Sequence, residues 1–330
     1  MLITETTHLR HRSSRIRRER RPAIDYAVDA FIDYLDLLGE LDDATFDSGL
    51  HARLRGLDRL ASVGFRDVND VRRRFFERVG PKLDVSSVLR HGRRKPFGYA
   101  GDFLSIDWIY TRKHSEDRAG WRWDRFYHRQ DAPVAVRARK AMFGRHLSEV
   151  VGAGPDDVAV LNVACGPGRE VLDGLEPYRD SARSISVDCV DADEAALEYA
   201  QGLNGELQSS FDLRFLHANA FRFRAERNYD FVWCAGLYDY LNEKMARVLT
   251  RRLLRFVEPG GRLVIGNFHR AHRTRRYIEW CGDWNLVHRD ERELLSVATD
   301  ARAGIEDVRF ERDVTGAVVL MVVEKGVKKP

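Results

Sequence analysis

The strongest constraint on the fold is a rhythm in the C-terminal half. Val158–Val163, Ile185–Val190, Leu213–His217, Phe231–Cys234 and Arg262–Gly266 are short apolar, β-branched runs. Arg169–Leu175, Glu194–Leu203 and Glu243–Val257 lie between them with helical spacing. Strands alternating with helices of that length require a parallel sheet, because a parallel neighbour is reached only through a crossover. The ending differs. Val308–Arg312 and Ala317–Glu324 are separated only by Asp313–Gly316, a connection short enough for an antiparallel hairpin alone. The expected fold class is therefore α/β: a doubly wound, Rossmann-like sheet finished by an antiparallel hairpin.

The N-terminal half reads as helical. Ile24, Val28, Phe31, Ile32, Leu35 and Leu38 recur at spacings of three and four, with Gly39 placed to end that helix. Further helical segments are expected around Leu50–Ala61 and Val68–Val79, and Pro81, Gly92–Lys95 and Pro96 interrupt the pattern. Asp131 with Pro133 marks a helix start that runs to about Val151. The expected organisation is a basic tail over 1–21, a helical lid or substrate domain over 22–151, and a cofactor-binding domain over 152–330.

Seven arginines and one glutamate lie between Arg10 and Arg21, without apolar periodicity or an aromatic residue. A charge block of this kind reads as a solvated, disordered tail, the alternative being contact with a polyanion such as RNA. The formal net charge of +4 is too small to point to nucleic acid by itself. No run approaches the roughly 18 apolar residues of a membrane span. Cys165, Cys189, Cys234 and Cys281 are widely spaced, as reduced, buried cysteines are, and a cytoplasmic location is expected.

In open α/β sheets, ligands bind beyond the carboxyl ends of the strands, near the reversal of strand order. After the first strand comes Ala164-Cys165-Gly166-Pro167-Gly168-Arg169, whose glycines permit a sharp turn and close approach of a ligand. The third glycine of a dinucleotide fingerprint is absent, since Val171 stands there, and this disfavours a nicotinamide. Asp191 ends the second strand 25 residues beyond Gly166, near the spacing of a carboxylate that accepts ribose hydroxyls. Its other reading is a helix cap, a role that suits Asp193 better. Asn219, after the third strand, reads either as an amide facing an adenine edge or as a turn residue.

Val160–Gly168, Asp191-Ala192-Asp193, Tyr229–Val232 and Glu258-Pro259-Gly260-Gly261-Arg262-Leu263 occur in that order and resemble the motifs of class I S-adenosylmethionine-dependent methyltransferases over about Val158 to Glu324. The resemblance implies S-adenosyl-L-methionine as cofactor. It places Ala164, Cys165, Gly166 and Gly168 against the methionine moiety, and Asp191 with Ala192 at the ribose. Asn219 with Ala220 falls at the adenine, where the family more often has an acidic residue, and Ala235, Gly236 and Leu237 line the cofactor after the fourth strand.

Pro96-Phe97-Gly98-Tyr99-Ala100-Gly101-Asp102-Phe103, Gly236–Leu241 and Gly266-Asn267-Phe268 further resemble a bacterial family that forms methyl esters of 3-hydroxy fatty acids in quorum-signal biosynthesis. That implies O-methylation of a carboxylate or hydroxyl on a small molecule, with the Tyr99 turn closing over cofactor or substrate. The alternatives are N-methylation of a small molecule, or RNA methylation guided by the basic tail. Against the latter, Gly236-Leu237-Tyr238-Asp239 replaces the Asn/Asp-Pro-Pro-aromatic pattern linked with amino-group methylation of bases.

The expected catalytic candidates are His269 as base or orienting donor, Tyr238 as donor to the acceptor, and Tyr99. Each has a plainer reading, as a surface histidine, core packing or a structural turn. Arg137 and Arg139 read as carboxylate clamps or solvated side chains. Trp121, Trp123, Phe126 and Tyr127 read as an acceptor pocket or as helix packing. His269 and His272 lack the further ligands a metal would need, so no metal site is expected. A small-molecule acceptor and no membrane span follow, and a homodimer is left open.

Overall fold

The computed structural model describes residues 23–62, 68–153, 156–299 and 305–327. The basic tail, 1–21, lies outside them. Seven strands form one sheet: β1 Asp157–Val163, β2 Ser184–Asp191, β3 Asp212–His217, β4 Tyr229–Cys234, β5 Val257–Phe268, β6 Ile305–Arg312 and β7 Val318–Lys325. Their order is β3-β2-β1-β4-β5-β7-β6. β1 through β5 pair in parallel, while β7 runs antiparallel between β5 and β6. Every strand expected from the alternation is present, and the doubly wound Rossmann-like sheet with its terminal hairpin is the observed fold.

Burial explains the order. Val318–Val323 of β7 are all fully buried, as a strand with neighbours on both sides and cover on both faces must be. The edge strands β3 and β6 carry Arg214, His217, Arg309 and Arg312, charges and polar groups that discourage pairing with another chain. Beneath β2, the fully buried Asp188 accepts from Tyr229 Oη at 2.6 Å and Arg214 Nε at 2.7 Å, which ties β2 to β3 and β4. These partners hold its carboxyl below the usual range despite burial.

The helices are α1 (23–35), α2 Asp43–Ser62, α3 Val68–Leu83, α4 Ser87–Arg94, α5 Phe103–Thr111, α6 Arg118–His128, α7 Asp131–Ala153, α8 Arg169–Leu175, α9 Glu194–Leu203, α10 Glu243–Phe256, α11 Arg275–Cys281 and α12 Glu291–Thr299. α3 passes through Pro81 instead of stopping before it. The chain divides into two compact units. One comprises 1–100, 113–130 and 274–285, and the other 101–112, 131–273 and 286–330. The division does not fall between 151 and 152: α5 and α7 belong to the sheet unit, and α11 to the helical one.

Within the helical unit, the aromatics of α6 are core packing. Trp123, Phe126 and Tyr127 are buried, with Phe126 edge-on to Phe46 of α2 and to Tyr277 of α11. Trp121 stays exposed. Within the sheet unit, α5 is held by Asp107, which accepts from Arg169 Nε at 2.6 Å and Tyr199 Oη at 2.8 Å. No described helix is long and apolar enough to cross a membrane.

Candidate active site

The strand order reverses at β1, which has β2 on one side and β4 on the other. The loop after β1 turns through three left-handed residues, Ala164 at φ +54°, Gly166 at +53° and Gly168 at +64°. The two glycines are needed for different reasons. A Cβ on Gly168 would lie 3.1 Å from Ala200 Cβ and 3.2 Å from Asn204 Nδ2, so this glycine lets α8 and α9 meet. A Cβ on Gly166 would meet nothing within 4 Å. Its backbone faces open space, which is the requirement of a surface that a ligand approaches closely.

Asp191 at the end of β2 fixes this loop. Its Oδ2 accepts from the Gly166 amide at 2.9 Å and its Oδ1 from the Asp193 amide at 3.0 Å. Burial pushes its carboxyl up, and the backbone amides oppose that shift. The cap of α9 is Asp193, which accepts from Ala195 N at 3.0 Å, so Asp191 is left to the loop. Ala192 follows it on the exposed side. Cys165 is buried, and its neighbour Cys189 together with burial raises its thiol well above the usual range, so it stays protonated. Asn219 is exposed, and its Oδ1 accepts from Phe221 N at 2.9 Å. The turn role therefore occupies the side-chain oxygen and leaves the amide nitrogen to donate. Ala220 is half-buried beside it.

Beyond β4, Ala235 is buried and Gly236 and Leu237 are half-buried. Arg139 of α7 reaches this turn, donating to the Ala235 carbonyl at 2.7 Å. Asp239 follows. Its Oδ1 accepts from Asn267 Nδ2 at 2.9 Å and Phe268 N at 2.7 Å, which binds the β4 turn to the end of β5. Arg289 completes the junction by donating to Asn267 Oδ1 at 2.7 Å and to the Tyr238 carbonyl at 2.8 Å. Burial raises the Asp239 carboxyl to about 7. Sequence reading missed Asp239 and took its neighbour. The Gly-Leu-Tyr-Asp stretch drew attention to the aromatic, and nothing in the local pattern tells which side chain turns inward.

Two of the expected catalytic side chains are buried and hydrogen-bonded. Tyr238 is fully buried in the sheet core, with its hydroxyl 2.8 Å from Thr250 Oγ1 of α10. His269 is buried too. Its Nδ1 accepts the Ala271 amide at 3.2 Å, and its Nε2 faces Glu291 at 3.5 Å and Arg312 at 3.2 Å. These contacts let His269 lock β5 to α12 and β6. Tyr99 is 38% exposed in the turn before Asp102, whose carboxylate caps α5 through Ser105 N at 2.8 Å. Arg137 is half-buried and donates to the Ile109 carbonyl. Among the described residues no cluster could hold a metal ion.

Residues 160–261, which hold the glycine loop, Asp191 and the β4 turn, match the family model described as a methyltransferase domain. The chain carries a methyltransferase domain. No curated protein matches it. Among solved structures, it is similar to a protein described as a possible exported protein from Bordetella parapertussis, with 20% identity, a TM-score of 0.60, and coverage of 76% of this chain and 89% of that one. It is also similar to magnesium protoporphyrin IX methyltransferase from Synechocystis PCC 6803 with bound S-adenosylhomocysteine, at 14% identity and a TM-score of 0.46, covering 68% and 98%. The N-methyltransferase NodS from Bradyrhizobium japonicum matches at 15% identity and a TM-score of 0.41, covering 57% and 97%. The methyltransferase domain thus contains the whole of the sheet's switch point, and Arg139 enters it from a helix that precedes the matched segment.

Proposed function

We propose that this chain is a class I S-adenosylmethionine-dependent methyltransferase that O-methylates a carboxylate or hydroxyl of a small molecule. The observation that carries this reading is the pairing of open Gly166 with the Asp191 carboxylate at the sheet's switch point. The residues fit the adenosyl cofactor. Gly166 leaves room that any Cβ would occupy. Each Asp191 oxygen accepts one backbone amide and keeps a second lone pair for a ribose hydroxyl. The Asn219 amide nitrogen and the Ala220 backbone are available for adenine, and Ala164, Cys165, Gly168, Ala192, Ala235, Gly236 and Leu237 complete the cradle.

When bound, the cofactor supplies a methyl group on a sulfonium. The protein's part is alignment and, for a hydroxyl acceptor, removal of a proton. Asp239 is suited to the second. One oxygen is fixed by Asn267 and Phe268, the other accepts no hydrogen bond from a described residue, and burial brings its titration to about 7. A carboxylate acceptor is already anionic and needs only orienting donors. The four buried, free cysteines support a reducing, cytoplasmic setting for this chemistry.

Calorimetry with S-adenosylhomocysteine and with NADH tests the cofactor. Saturable binding of the former alone is expected, and preference for the nicotinamide would overturn the reading. Transfer of labelled methyl from S-adenosylmethionine to medium-chain fatty and hydroxy acids, read by mass spectrometry, tests the acceptor class. Label found only on amines would replace O-methylation with N-methylation.

A further inference from the structure

Arg139 is a buried cation without an anion. Only 7% of its surface is exposed, yet no carboxylate pairs with it among the described residues. Its hydrogen-bonded contact is neutral: Nη1 donates to the Ala235 carbonyl at 2.7 Å. A guanidinium carries five N–H donors, so its capacity goes beyond this contact. Taking such a charge from water is costly unless an opposite charge meets it in the buried site. Arg289, also buried, meets neutral groups too, but three of them: it donates to Asn267 Oδ1 and to the carbonyls of Tyr238 and Leu241.

The surroundings of Arg139 locate the missing anion. Its Nη2 lies 3.6 Å from where a Cβ of Gly236 would stand, beside the turn after β4. Its charge is felt by Glu170, in the first turn of α8 directly after the glycine loop, and by Asp239 beyond β4. Neither forms an ion pair with it. Glu170 is buried, with Oε1 taken by Asn162 Nδ2 at 3.0 Å and Oε2 unpartnered. The guanidinium therefore stands at the turn after β4, within electrostatic reach of the first turn of α8, which follows the loop after β1.

We propose that Arg139 binds a ligand carboxylate between these two turns. Its position favours the amino-acid end of the cofactor, and an acidic acceptor is the other source of the same group. The inference rests on the methyltransferase reading above but goes beyond it, because it assigns the anchor to a helix outside the matched domain.

Calorimetry on the full chain separates the cases. S-adenosylhomocysteine carries the carboxylate; 5′-methylthioadenosine keeps the adenosyl group and lacks it. With the cofactor as source, the wild-type protein binds the former much more tightly. Arg139→Gln should weaken it on the order of 30-fold, as loss of a charge-assisted contact does, and leave methylthioadenosine unchanged. Arg139→Lys, which keeps the charge without the fork, should fall between and serves as the second reading if the glutamine variant does not fold. With an acidic acceptor as source, S-adenosylhomocysteine binding is unchanged, and decanoate binding to the loaded protein is lost instead. Equal weakening of both nucleosides, or no change with either nucleoside or decanoate, overturns the proposal. If the wild-type protein binds neither nucleoside, the methyltransferase reading itself fails. Equal wild-type affinity for both, with Arg139→Gln silent toward the nucleosides and toward decanoate, removes the Arg139 anchor alone.

Discussion

The carboxylate of Asp191 accepts a hydrogen bond from the amide of Gly166 at 2.9 Å, across 25 residues of sequence. This contact ties the end of β2 to the loop after β1 and sets the loop's shape before any ligand arrives. Asp191→Ala should therefore lose both the tie and the ribose acceptor, and weaken S-adenosylhomocysteine by about 100-fold, from two lost charge-assisted hydrogen bonds. Titration calorimetry checks this, and an unchanged affinity would remove Asp191 from the site.

The two loop glycines should fail in opposite ways. Gly166→Ala meets no atom in the folded protein, so it should cost only about 1 kcal/mol for its left-handed backbone while blocking the ligand. Gly168→Ala crowds Ala200 and Asn204 as well, and should cost about 2 to 3 kcal/mol. Denaturant melts and binding, measured on both variants, distinguish them. Equal stability loss would contradict the division of roles.

Asp239 gives a pH dependence with a fixed sign. As a proton acceptor titrating at about 7, it supports methylation of a hydroxyl above neutrality, and the rate should fall as pH drops below that value. Stability runs the other way. Its folded value lies above the unfolded one, 3.8, so its contribution is intact below pH 4 and is lost as pH rises through about 7. Asp239→Asn keeps an oxygen for Asn267 and Phe268. It should gain about 2 to 4 kcal/mol at pH 8, nothing at pH 4, and lose turnover. A variant with wild-type turnover at every pH would end the assignment.

His269→Ala should leave turnover within about threefold of wild type, because its ring is committed to Ala271, Glu291 and Arg312. The expected cost is about 1 to 2 kcal/mol of stability, seen in thermal melts. A collapse of turnover with cofactor binding intact would restore it as a catalytic group.

The order of apolar runs determined the sheet. Period and length separate strands from helices, and the short 313–316 connection leaves no topology but a hairpin, so all of this is local and legible. The glycine loop and Asp191 were legible for the same reason: backbone conformation and motif spacing are written in adjacent residues. What the tertiary structure alone decided is which side chains meet. Arg139 and Gly236, or Asp239 and Asn267, are far apart in the chain and come together only when α7, β4 and β5 pack. Whether Tyr238 or Asp239 turns toward the site depends on the rotation of one short turn. Burial then sets the charge on Asp239 and the isolation of Arg139, and burial is a property of the assembled layers that no single segment carries.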